Sequence, residues 1–503
     1  MKLNPNTRLY LCKTPLEDDY RNTILFSNSE AQLNYFNSKV FKDFNNTLFT
    51  YIKRDNTVKV EASIDDIINA NYLFYTNTGY SNKTYFCFIK NMTYLSENST
   101  LIEFTTDVIQ TYMFDIVYNP TFIEREHVSN DAIGFNTIRE NVELGEYICN
   151  SHIEDDFNTD LRLVVSSSVK PYGSHENALG GIVTGIPTGL RYYKYSSLQS
   201  MGNDLQSLQN AGKIDAVNSI FFAPSYLLGT DNDVDVHDSY NAIEKTIEIP
   251  PITSLNGYTP KNNKLLTYPY CYILATNTQN GNAILKQEVW SKNANNKMVM
   301  KSYGVLSAGC SIRCIPLNYN GVSENLSEGI NLGKFPQMNW ATDTYINWLT
   351  ENALNIATNT GVGLAQTFTG NIASGINTIA NVINSNFIAD RVPPQMVGNT
   401  NCGDVNVLMK GNKFHFYNMT IKYQFAKMID SYFDMFGYKV NEVKIPNLHT
   451  RLNWNYIKTI DCNFDGEIPQ NDLNTIKDVF NAGITFWHNP NNIYNYNLQN
   501  SII

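Results

Sequence analysis

Residues 72–89, Tyr72-Leu-Phe-Tyr-Thr-Asn-Thr-Gly-Tyr-Ser-Asn-Lys-Thr-Tyr-Phe-Cys-Phe-Ile89, hold two aromatic and β-branched runs separated by a polar stretch with Asn77, Gly79 and Asn82. Rings and branched side chains fit a pleated surface, and Asn and Gly tolerate the backbone of tight turns. Positions 72–75 and 84–89 therefore read as strands. The same rhythm returns at 7–11, 58–61 and 101–104. Strands this short with turn signals this frequent are the pattern of a barrel or sandwich. Two short helices punctuate them, one capped by Ser63 with Asp65 and Asp66 in its first turn, the other over 106–113.

Further strands are expected at 161–166, 181–183, 246–249, 270–275, 288–290, 297–302, 414–417, 439–445 and 454–459. Leu198, Met201, Leu205 and Leu208 fall on one helical stripe, as do Phe425, Met428, Ile429, Tyr432, Phe433 and Phe436, with Gly437 placed as a C-terminal cap. A last helix over 472–480 turns Leu473, Ile476 and Phe480 inward. The fold class is mainly β with α insertions. Four segments are expected: 1–150 and 151–335 as β-rich domains, the second with an α-containing insertion, 336–400 as a hydrophobic loop, and 401–503 as an α+β segment.

The loop is where composition changes most. Between 352 and 389 there is neither a charged residue nor a proline. Ile372, Ile376, Ile379, Ile383 and Phe387 share one helical face, and Val382 lies beside it. Leu354, Ile356, Val362, Leu364 and Phe368 supply the apolar content upstream, where Gly361, Gly363 and Gly370 interrupt any continuous helix. Asn and Thr are too frequent here for one copy to span a bilayer, which takes about 20 predominantly apolar residues. A buried helical hairpin at a subunit interface and a membrane-active loop both fit these residues.

The formal net charge of −10 argues against a nucleic-acid reader, which concentrates Lys and Arg to displace phosphate counterions. An acidic wall would still let DNA slide past. The eight cysteines are scattered without a Cys-x-x-Cys pair, so neither a disulfide framework nor a zinc site is expected, and Cys310 and Cys314 read as strand residues alternating with Ile312. Free thiols and synthesis in a reducing cytoplasm are expected from those cysteines, and because Met1 to Pro5 runs into polar sequence no secretion signal is expected.

Catalytic and metal motifs are mostly rejected. The seven histidines have no metal-ligand spacing, and His415 and His488, beside aromatic residues, read as structural. Gly361-Val-Gly363 lacks the lysine of a phosphate loop, and no Gly-x-Ser-x-Gly occurs. Asp461, Asn463, Asp465 and Asp472 come nearest to a calcium loop. Against it stand a strand rather than a helix before Asp461, Asp472 in place of the bidentate Glu, and Pro469 at the ninth position. The expectation is no catalytic residue, no cofactor and no metal.

Three stretches carry a family resemblance: 122–131 (FIEREHVSND) with 141–147 (NVELGEY); 335–340 (FPQMNW) through Asp343, Trp348 and Leu349; and 430–438 (DSYFDMFGY) past 454–458 (WNYIK) to 483–488 (GITFWH). In order and spacing the chain resembles the distal tail tube or tail knob proteins of phi29-like short-tailed phages of Gram-positive hosts. That resemblance implies tandem β-barrel domains of the tail-tube and baseplate-hub type, the first forming the tube and the C-terminal segment completing its tip. It also implies a homohexameric ring at the distal end of the virion tail, made in the host cytoplasm. Its partners would be other tail proteins (the lower collar or tail tube and a distal tip enzyme), double-stranded DNA in transit, and the host membrane. The uncharged loop would plug the channel and later help breach that membrane. The rival readings are a tail-tip receptor-binding protein and a cell-wall-degrading tail enzyme.

Overall fold

The structure is a computed structural model. It describes residues 7–339, apart from 45–49, 53–55, 78–82, 156–160, 170–181, 184–185, 188–190, 196–197, 214–215, 225–234, 237–244, 278–280, 291–296, 306–310 and 333–336, and residues 413–503. The fold is mainly β with a few helices. The chain forms two compact units, Met1–Leu144 with Pro260–Leu265 and Gln424–Ile503, and Gly145–Thr259 with Leu266–Tyr423. Of the segment read as C-terminal, the part from Gln424 onward thus folds with the N-terminal residues.

In the first unit an open antiparallel sheet runs in the order Val40–Asp43, Thr7–Cys12, Tyr72–Asn77, Thr84–Ser96, Ser99–Thr106, Thr57–Val60, Thr50–Ile52. Side chains divide with period two. Leu73, Tyr75 and Cys87 enter one buried cluster with Leu9, Leu11, Ile102 and Phe104. Tyr72, Phe74, Phe86 and Phe88 enter another with Phe36, Ile457, Ile476 and Phe480. Both faces are covered here, which is why the strands read as continuously apolar rather than alternating.

Three helices pack into the second cluster. Ser29–Ser38 begins at Asn28, whose Oδ1 accepts from the Ala31 amide at 2.8 Å, and delivers Phe36. Val108–Tyr112 is buried throughout; its cap, Asp107, accepts from the Gln110 amide and the Tyr72 hydroxyl. Burial pushes the Asp107 carboxyl up to about 6. Gln470–Ala482 buries Leu473, Ile476 and Phe480 and stops at Gly483, whose φ of 100° suits glycine.

A second sheet of this unit is ordered Asn22–Ile24, Ile484–Trp487, Trp454–Ile460, Thr121–Glu126, Tyr438–Lys444. Asn22–Ile24 joins it in parallel and the other pairs are antiparallel. The Trp487 indole N–H donates to Asn22 Oδ1 at 2.9 Å, tying the two ends of the chain together.

Among the described residues the second unit holds three larger sheets. One is ordered Tyr147–Glu154, His415–Ile421, Cys271–Thr276, Asn282–Leu285. Another is Asp235–Val236, Arg191–Tyr195, Leu161–Ser167, Val217–Pro224, Gln337–Asn339, and the expected helix runs over Leu198–Asn210 with Met201, Leu205 and Leu208 buried. The third contains Lys245–Ile249, Met298–Val305, Ser311–Tyr319 and Val322–Glu324, with Ile330–Leu332 also on Ser311–Tyr319. The strand expected at 288–290 is instead a 3-10 turn, Gln287–Val289. Its Gln287 side chain is engaged by the Ile252 backbone, its Nε2 donating to the Ile252 carbonyl and its Oε1 accepting from the Ile252 amide. Cys314 lies buried in a strand with Ile312, while Cys310 is outside the described residues.

Candidate functional site

The motif stretches 122–131, 430–438 and 454–458 meet inside the first unit. Arg125 on Thr121–Glu126 donates from Nη1 to the Gly437 carbonyl at 2.7 Å, and its Nη2 is paired with Glu140. Glu140 also receives Lys264 Nζ at 2.6 Å and the Lys439 amide at 2.8 Å. The Glu140 and Lys264 side chains are 0% and 2% exposed, so one carboxylate is shared by two cations away from water. Burial pulls the Lys264 ammonium down, and Glu140 opposes that. Asp430 accepts from the Lys261 and Asn262 amides, while Asp131 accepts from the Asn263 amide and the Tyr438 hydroxyl.

His127 belongs to the same region. The Tyr456 amide donates to Nδ1 at 2.7 Å, so the ring proton is on Nε2, which faces the Asp434 carbonyl at 3.1 Å. Burial, with the nearby Arg451 charge, pushes its pKa down to about 3. Gly437 turns the chain there at a φ of 65°, and a Cβ would collide with the Glu126 carbonyl. Arg125, His127, Asp131, Asp430 and Tyr438 are therefore architectural: each bonds to a buried group from another stretch.

The outer face of the second sheet differs. Val443 and Ile460 lie directly opposite Phe122 on its two sides, and both are exposed, at 69% and 50%. The result is an uninterrupted apolar row across three strands facing solvent.

In the second unit, Tyr147–Glu154 is an edge strand of its sheet, exposed or half-buried at every residue. At its end His152 Nε2 lies 2.9 Å from His415 Nδ1, and Glu154 Oε1 lies 3.9 Å from His152 Nδ1 and 3.8 Å from His415 Nδ1. Lys413 Nζ binds the other carboxylate oxygen at 2.8 Å and holds the Glu154 carboxyl below the usual range. These two histidines are 263 positions apart, so sequence spacing held no sign of them.

The residues of the expected plug, Leu354, Ile356, Val362, Leu364, Phe368, Ile372, Ile376, Ile379, Val382, Ile383 and Phe387, lie outside the described residues. The calcium candidates are placed. Asp465 sits in Phe464–Gly466, which pairs with Ile116–Tyr118, and Asp472 Oδ2 accepts from the Tyr112 hydroxyl at 2.7 Å. Among the described residues, metal-capable His, Cys, Asp and Glu groups gather in threes at His152, Glu154 and His415 and not around Asp461.

Residues 234–501, more than half of the 503, match the family described as Bacillus phage phi29, tail knob protein gp9, C-terminal domain. The chain belongs to the phi29 tail knob protein family. Residues 6–118 also match the caudoviral major tail protein N-terminus. The chain is 27% identical to the tail knob protein gp9 of Bacillus phage PZA over 99% of this chain and 98% of that one. It is 26% identical to the phage phi29 gp9 over the same shares, and 27% identical to the phage B103 gp9 over 97% of each. The structure of the bacteriophage C1 tail knob protein gp12 shares the fold, with a TM-score of 0.63 at 15% identity, covering 99% of this chain and 100% of that one. This tail knob family member is a protein of the phage virion's tail.

Proposed function

We propose that this tail knob protein is a structural ring subunit of the distal tail tube, enclosing the channel through which DNA leaves the virion, and that it catalyses no reaction. The observation that carries this reading is the near-complete alignment with tail knob proteins of Bacillus phages, which runs through both folded units. A ring needs a self-association surface, and the apolar row Val443, Phe122 and Ile460 is assigned to the neighbouring copy. Six copies are expected. The net charge of −10 suits a wall that DNA must pass without being held.

The uncharged segment 352–389 is assigned to a channel plug that later acts on the host membrane. Six apolar segments could close a pore by excluding water. Released, they could turn apolar faces to lipid and Asn and Thr towards one another. Mass photometry of the purified protein, beside a variant lacking 352–389 and a Val443→Asp/Ile460→Asp variant, tests both parts. Dye-loaded liposomes read the second. A hexamer that releases dye, a silent but intact deletion ring, and a dissociated aspartate variant are the expected results. A wild-type protein that stays monomeric on liposomes and on purified tails overturns the ring, and a deletion variant that still releases dye overturns the plug.

A further inference from the structure

We propose that His152, Glu154 and His415 form a surface site for a divalent transition metal of the zinc class. His152 and Glu154 are two apart on Tyr147–Glu154 and so project from one face. On the paired strand, Glu154 lies opposite His415 and His152 opposite Tyr417. Antiparallel register thus builds a compact square of two imidazoles, a carboxylate and a phenol ring.

The ligand atoms all lie within 4.8 Å of one another. A tetrahedral ion with bonds of about 2.0–2.1 Å holds its donors roughly 3.3 Å apart. The 2.9 Å between His152 Nε2 and His415 Nδ1 is slightly short of that spacing and the 3.8 Å from His415 Nδ1 to Glu154 Oε1 slightly long, while the 3.9 Å contact of Oε1 is to the other His152 nitrogen, Nδ1. In the structure His152 Nε2 and His415 Nδ1 share a hydrogen bond, so the metal takes that position and the proton moves to the other nitrogen of the donor ring. Moderate χ rotations, open to partly exposed side chains, bring Glu154 in.

Two neighbours already orient the ligands. The His152 ring is stacked on Tyr417 at 4.5 Å and 8°. Lys413 holds Glu154 Oε2, which leaves Oε1 towards the imidazoles. Outer groups of this kind set the direction of a metal's ligands. The Lys413 charge weakens affinity for a dication, which places the site among exchangeable rather than permanent ones. Two nitrogens and one oxygen suit zinc, cobalt, nickel or copper over magnesium or calcium. Three protein ligands leave a fourth position open to water or to an acceptor from another chain.

The test uses the full-length protein stripped of metal. Co2+ is titrated and followed by visible absorption, and Zn2+ is then titrated against a chromophoric chelator. One equivalent per chain is expected, with a tetrahedral cobalt band that Zn2+ removes. His152→Asn/His415→Asn should weaken Zn2+ binding at least about tenfold with unchanged circular dichroism, while His449→Asn leaves it intact. A wild-type measurement stands whether or not the double variant folds: Zn2+ should protect His152 and His415, but not His449, from diethylpyrocarbonate in peptide mass spectra. Absence of a bound equivalent, equal binding by the double variant, or unprotected His152 and His415 each overturns the site.

Discussion

Two clusters of charge carry opposite lessons. Around Glu140 the first unit seals Arg125 and Lys264 from water, each group matched to a partner. At Glu154 the second unit gathers His152, His415 and Lys413 on an exposed edge. Both depend on residues brought from distant parts of the chain. Burial decides their roles: a sealed cluster cannot lose a member without leaving an uncompensated charge, whereas an exposed one can exchange protons, ions or partners at little cost to folding.

Glu140→Ala gives the sharpest test of that contrast. It strands two buried cations, and an expected loss of about 3–5 kcal/mol is measurable by chemical denaturation. A loss below about 1 kcal/mol would mean that water reaches the cluster. Gly437→Ala comes next, on the order of 2–3 kcal/mol, because a left-handed turn and a collision with the Glu126 backbone coincide at the residue whose carbonyl Arg125 uses.

His127 adds a pH dependence to the buried side of the comparison. An unfolded histidine takes its proton near pH 6.5 while His127 resists until about 3. The unfolded state therefore binds more protons in that window, and stability falls as pH drops through it, by up to about 1.4 kcal/mol per unit from this group. Raised carboxyls at Glu126, Asp131 and Asp434 act in the opposite direction. The checkable quantity is the difference: His127→Gln should flatten the acid limb of a stability profile relative to wild type. Lys413→Ala, on the exposed side, is expected to leave the unfolding midpoint where it was.

What could be read from sequence followed residue type and periodicity. Tyr72–Asn77 was legible as an unbroken run of ring and branched side chains buried on both faces, and Leu198–Asn210 as one helical stripe with Met201, Leu205 and Leu208 inward. Ser29–Ser38 was not, since Gln32 and Phe36 are its buried residues and a polar helix leaves no apolar stripe. At 288–290 the run Glu288-Val289-Trp290 imitated a strand, although the Gln287 side-chain amide is engaged by Ile252 and the chain turns at 287–289. The family stretches were legible as words but not as contacts. That Arg125 needs Glu140, or that His152 faces His415, depends on pairing and register between segments that spacing along the chain does not encode.

The pairing of Asn22–Ile24 with Ile484–Trp487 sets an order of events during synthesis. A ribosome delivers the seven-stranded sheet early, yet one face of it, with Phe36, Phe74 and Phe86, waits for Leu473, Ile476 and Phe480. The second unit, encoded between them apart from the short Pro260–Leu265 excursion, has left the exit tunnel before that face can be covered. A nascent chain halted short of residue 470 would therefore present a sticky aromatic surface to chaperones, and the last few seconds of translation decide whether the subunit is ready to assemble.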